Sequence, residues 1–172
     1  MPIAIIAAIG VSTAIGAYGA HKTGQAGKAV GESQAQQHEF NARVADLNAY
    51  DAGVRGAEAE TKFRTSVRGL IGGQRAGFAG QGVEVGSGSA ADVQADAAYL
   101  GELDARTIRH NSEREAWGFE VEAADRRLAA DVARRGGQAA ATAGNIQAVN
   151  TVVGGVMQAG MVAQKYGMFG LK

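Results

Sequence analysis

Apolar residues recur with a helical period over residues 25–78. Phe40, Val44, Leu47 and Val54 continue through Ala57 to Val67, Ile71 and Phe78, largely at steps of three, four or seven. The positions between them are mostly charged, amide or Ala. The pattern predicts an amphipathic helix with a narrow apolar stripe, the width of a coiled-coil seam. It breaks over residues 80–89, where Gly80, Gly82, Gly86 and Gly88 stand with Ser87 and Ser89. Such a cluster marks a turn, with Val83, Glu84 and Val85 briefly extended. Ser89 then reads as an N-cap, with Asp92 near the capping-box position.

A second helix is expected from Ser89 to Arg135, on Val93, Ala97, Leu100, Leu103, Trp117, Val121, Ala124, Leu128 and Val132. At ~1.5 Å per residue its length is about 70 Å. Gly136 and Gly137 would end it, with Arg134 and Arg135 against the C-terminal dipole. Further on, Ile146, Val149, Val153, Val156, Gly160 and Ala163 keep the period on one face. A neighbouring face carries Gln147, Thr151, Gly154, Gln158 and Lys165, with Met161 the apolar exception. Val149, Val153, Gly155, Gln158 and Gly160 would thus belong either to a weakly polar channel wall or to a helix packed in an oligomer.

Residues 1–20 are apolar for nearly the length that spans a bilayer. No Lys or Arg precedes the run, as one would in a secretory signal. Gly16, Ala20 and Gly24 place a small residue every fourth position, which lets helices approach closely in a membrane or a bundle. The expected fold is all-α: a long helical hairpin with small-residue helices at both termini, assembling as a ring or bundle. Three segments follow, at 1–21, 22–135 with its loop near 79–89, and 136–172.

Composition sharpens this division. The 172 residues include 26 Gly, 36 Ala, one Pro and no Cys. Large apolar residues are too few for a self-contained core packed at ~0.74 density, so copies or partners are expected to complete it. Gly lacks the three-residue period of collagen. Seventeen acidic residues balance seventeen basic ones, which disfavours simple disorder and a nucleic-acid coat. All the acidic residues and fifteen of the basic ones lie between Lys22 and Arg135. Residues 1–21 and 136–164 carry no charged side chain at all.

Catalytic signals are weak. His21 and His38 are isolated, and His110 with Glu113 makes one pair, a poor metal site. Ser87 and Ser89 lack the flanking glycines of a nucleophile elbow. The Gly72-Gly73-Gln74-Arg75 run lacks the ending of a phosphate loop. Glu102 with Arg106, Glu122 with Arg126, and Asp131 with Arg135 suit ion pairs along a solvated helix. Trp117 is expected as a packing anchor. Neither an enzyme nor a cofactor is indicated.

Two blocks carry a resemblance. One is Gly73-Gln-Arg-Ala-Gly-Phe-Ala-Gly-Gln-Gly-Val-Glu-Val-Gly-Ser-Gly-Ser-Ala90, which includes Gln74, Arg75, Phe78, Ser87 and Ser89. The other is Arg114-Glu-Ala-Trp-Gly-Phe119, after Gly101-Glu-Leu-Asp-Ala-Arg-Thr-Ile-Arg-His-Asn111. Over residues 60–135 the chain resembles the small internal virion proteins of short-tailed bacteriophages and related prophages, also called DNA-ejection or core proteins. The termini match in character rather than in residues.

The resemblance implies a protein carried in the virion interior near portal and tail, then released into the host envelope to help form the conduit for the genome. Its implied partners are further copies, other internal virion proteins, portal or tail proteins, and the host outer membrane. Genomic DNA would pass nearby without sequence-specific binding. Peptidoglycan cleavage in that family belongs to a larger partner. The alternative is a structural virion protein lining the portal–tail lumen and staying in the particle. A pore-forming toxin or holin-like protein fits the ends but not the middle blocks.

Overall fold

The computed structural model describes residues 2–166, which form two helices, α1 (Pro2–Gly80) and α2 (Gly88–Lys165). They pack against each other as a helical hairpin, and the described residues contain no strand. The chain divides into two compact units. Unit 1 is Met1–Phe40 with Arg126–Lys172, and unit 2 is Asn41–Asp125.

The hairpin turns where the Gly/Ser cluster places it. Gly82 takes φ 75°, a left-handed conformation that costs glycine little. Its N–H donates to the Ala79 carbonyl (3.0 Å) and the Val83 N–H reaches back to the Phe78 carbonyl (3.0 Å). This pair of hydrogen bonds is a Schellman cap, and it satisfies two carbonyls that the end of α1 would otherwise leave bare. Val83 and Glu84 belong to neither helix nor strand, and Val85 begins a turn. Gly88, at φ 60°, opens α2, with Ser89 next to it in the first turn.

Gly136 and Gly137 do not end α2, which continues to Lys165. A terminating glycine needs a positive φ, and neither residue has one. Gly137 instead lies in the seam between the helices. A Cβ there would sit 3.0 Å from the Lys28 carbonyl oxygen and 3.2 Å from Gly31 Cα. The helical path is likewise unbroken across residues 21 and 22 of α1.

The seam is built from the smallest residues. In α1 the buried positions include Gly24, Gly31, Ala35, Ala42, Ala45, Ala49, Ala52 and Gly56, at steps of three, four or seven. In α2 they include Ala90, Gly101, Ala105, Ala123, Ala130, Gly137 and Gly144. Among the described residues no large side chain is fully buried. Partner numbers total 168 at four close approaches spread along the seam: Gly24 with Gly144, Gly31 with Gly137, Gly56 with Ser112, and Val67 with Gly101. The antiparallel register is therefore the same in both units.

Most large residues of the two apolar stripes lie away from this seam. Phe40, Val44, Leu47 and Val54 are exposed on α1, as are Val93, Leu100, Leu103, Trp117, Val121, Leu128 and Val132 on α2. Where the backbones come closest, at Gly24, Gly31, Gly137 and Gly144, a Cβ would already meet the backbone of the other helix. Val67, Ile71 and Phe78, near the turn, are the part of the expected stripe that is half-buried.

Candidate functional surfaces

In unit 1 the uncharged ends lie against each other. Gly16 and Ala20 both face α2: a Cβ on Gly16 would meet Thr151 Cγ2 at 3.2 Å, and the Ala20 carbonyl oxygen would lie 2.7 Å from a Cβ on Gly144. Gly155 receives the side chain of Thr13. Thr13 and Thr151 return their hydroxyls to the helix, donating to the carbonyls of Ile9 (2.7 Å) and Gln147 (2.8 Å). His21 Nδ1 and Asn145 Oδ1 are 2.8 Å apart across the seam.

The remaining candidates of this region point outward. Val149 and Val153 are exposed, together with Ile146 and Val156. Gln158 is also exposed, beside a shallow groove that Ala4, Ile5, Ala8 and Ser12 share, and Gly160 is half-buried. A second groove of about 290 Å³ is lined by Ile6, Ile9, Thr13, Val152 and Val156 and is almost wholly apolar. Near the N-terminus of α1 an 18-residue stretch has mean hydropathy 1.9 with none of it buried, and α2 holds one of mean hydropathy 1.2. Both helices are long and apolar enough, by length and composition, to cross a membrane.

In unit 2 the block around Gly73 forms a clamp. Arg75 Nε donates to Gln94 Oε1 (2.6 Å), and Gln94 Nε2 donates to the carbonyls of Val85 (3.1 Å) and Ala90 (2.8 Å). One buried amide thus ties the end of α1, the turn and the start of α2 together. Phe78 is half-buried and supplies the cap carbonyl described above. Gln74 is half-buried, and its Oε1 makes no hydrogen bond. Gly73, Ser87 and Ser89 are exposed, and a Cβ on Gly73 would meet nothing. Trp117 is 66% exposed, so within one chain it anchors no packing.

Further along unit 2 an ion-pair network crosses the seam. Glu60 is buried and meets Arg64 Nη1 at 2.9 Å and Arg109 Nε at 3.9 Å. Arg64 Nη2 also binds Glu102 (3.0 Å), which Arg106 binds at 3.2 Å. Hydrogen bonds from Arg106 and Arg64 hold the Glu102 carboxyl below its ordinary range. Arg55 reaches Glu115 at 2.9 Å. In unit 1, Arg134 binds Glu39 across the helices and Asp131 along α2, and Glu39 raises the guanidinium pKa further.

Sequence reasoning found Arg75 and the Glu102–Arg106 pair but missed Gln94 and Glu60. The described residues include no group of three or more metal-binding side chains. No family model, curated protein or solved structure matches this chain.

Proposed function

We propose that this chain is an internal virion protein of a short-tailed phage or prophage, delivered into the host envelope to help form the conduit for the genome. The sequence blocks over residues 73–90 and 114–119 support the family. The observation that carries the mechanism is the exposure of an uncharged apolar end. Ile3, Val11 and Ile15 are 76%, 61% and 67% exposed within a stretch that has no charged side chain. Burying such side chains is worth about 1.5–3 kcal/mol each, and a bilayer offers that burial.

The charged faces of unit 2 would remain in water while the ends of α1 and α2 enter lipid. Small residues keep the paired ends slim, and backbone groups are satisfied within each helix, as a membrane requires. The test has two parts. Purified protein should float with liposomes, and deleting residues 2–20 should abolish flotation. Particles that have released their genome should also lack this chain. Retention in emptied particles, with no liposome binding, would instead assign it to the wall of the portal–tail lumen.

A further inference from the structure

We infer that Lys22 and Lys165 fix the depth at which the paired ends sit in a phospholipid bilayer, crossing it from face to face with the Gln158 side turned from the acyl chains. This rests on the reading that the ends enter lipid, and adds how far they enter and which way round. In the 168 register residues 4–21 stand level with residues 164–147. Both stretches are 18 residues without a charged side chain, about 27 Å of helix. The hydrocarbon core of a bilayer is about 30 Å thick. A lysine closes the paired stretch at each edge: Lys22 on α1, level with Ile146, and Lys165 on α2, level with Ile3. Their long stems let the ammonium groups reach headgroup phosphate while the helix stays in hydrocarbon. Each lysine also has an exposed tyrosine beside it. Lys22 Nζ lies 5.5 Å from the centre of the Tyr18 ring, and Tyr166 follows Lys165. Tyrosine favours both surfaces of a bilayer, with its ring in the apolar layer and its hydroxyl in the polar one.

A helix lying in the surface instead keeps a strongly polar face in water. With the direction of Gly24 as zero, Ile3, Ile15 and Ile5 point about 60°, 180° and 260° round α1. All three are exposed, so this end is apolar on well-separated sides and has no charged face. The hydroxyls of Ser12, Thr13 and Thr151 donate to carbonyls of their own helices. Four amide side chains fall within residues 147–164. Gln147, Asn150 and Gln164 lie within about one turn of an edge, and Gln158 stands near mid-depth, level with Gly10.

Gln158 therefore sets the rotation of the pair. It shares a groove with Ser12 and Ile5, whereas Val152 and Val156 line the apolar groove with Ala14. Val149, Val153 and Val156 point about 120–180° from the direction of Gly144, turned in the sense opposite to Gln158. The valine side meets acyl chains. The Gln158 side faces water, because a bare amide in hydrocarbon is costly.

The chain has no Cys, so single cysteines can carry a nitroxide without background. Labels at Ile3, Val11, Ile15, Val30, Val149, Val153, Val156 and Gln158 would be read on vesicles of phosphatidylethanolamine and phosphatidylglycerol. Circular dichroism first checks that each labelled chain keeps its helix, and flotation checks that it binds. Access to oxygen against a water-soluble nickel chelate then gives depth. Labels at Val11, Ile15, Val153 and Val156 should be deepest, with Ile3 and Val149 shallower and Val30 in water. Gln158→Cys should be several-fold more open to nickel than Val156→Cys, although both stand near mid-depth. Depth that rises steadily toward Ile3 would mean entry into one leaflet, and a uniformly shallow profile would mean lying flat. Either would overturn the inference while leaving lipid entry intact, as would equal access at Gln158 and Val156. Chains that never float would overturn lipid entry itself and this inference with it.

Discussion

The two units hold the same register by different means. In unit 1 backbone meets backbone: a Cβ on Gly31 would lie 2.6 Å from the Ala133 carbonyl oxygen and 2.8 Å from Gly137 Cα. No rotamer change relieves such a clash, so side-chain volume sets the register there. In unit 2 the seam also runs through small residues, but Glu60, Arg64, Glu102 and Arg109 lace it, and Gln94 closes it at the turn. Charge and hydrogen bonding therefore set the register near the turn. Volume and electrostatics should be separable by experiment, each acting mainly on one unit.

The largest expected effect is on unit 1. Gly31→Ala or Gly144→Ala should cost about 2–3 kcal/mol by overpacking, lowering Tm by roughly 4–12 °C in thermal melts. An unchanged Tm would mean that the seam yields easily and that volume does not set it.

Next comes the clamp. Gln94→Leu should cost about 1–2 kcal/mol, because the Arg75 Nε–H and the carbonyls of Val85 and Ala90 lose a shared partner. The urea midpoint measures it. Hydrogen exchange should quicken around the turn and leave the residues near Gly24 and Gly144 unaffected.

A smaller and sharper test uses adjacent glycines. A Cβ on Gly136 would meet nothing within 4 Å, whereas one on Gly137 would meet the Lys28 backbone. Gly136→Ala should stabilise by up to about 1 kcal/mol through helix propensity, and Gly137→Ala should destabilise. Opposite signs at neighbouring positions would isolate packing from propensity.

The smallest effect is electrostatic. Because its partners depress the folded pKa of Glu102, the pair stabilises unit 2 above the ordinary carboxylate range. That stabilisation is lost as pH falls through the folded value. Glu102→Gln should flatten this acid dependence of Tm, modestly because the pair is partly exposed, and high salt should mimic it. Gly31→Ala should leave the acid dependence intact.

Much of the hairpin was legible. The Gly80–Ser89 cluster located the turn, and helical periodicity located both arms. The direction of the stripes was not, because helical spacing does not say whether a stripe faces the other arm of the hairpin or away from it. The spacing of Ala42, Ala45, Ala49, Ala52 and Gly56 was an available signal for a closer seam. Gly137 was misread because a glycine needed for close approach and one needed for termination look alike in sequence. Arg75 stood out in its block, but Gln94 did not, since its role depends on the Val85 carbonyl returning toward α2.

The constant register has a consequence for the order of folding. Arg75 and Gln94 are 19 positions apart, whereas His21 and Asn145 are 124 apart. Closing the longer loop from an open chain costs more entropy, by about 0.6 kcal/mol per doubling. Once the contacts near the turn exist, each further rung closes only a short remaining gap. The hairpin should therefore zip from the turn toward the termini and unzip in the reverse order. On this order unit 1 should need unit 2 for its assembly, whereas unit 2 should not need unit 1. The uncharged ends can then part and re-pair in a new surrounding while the turn keeps the two arms aligned.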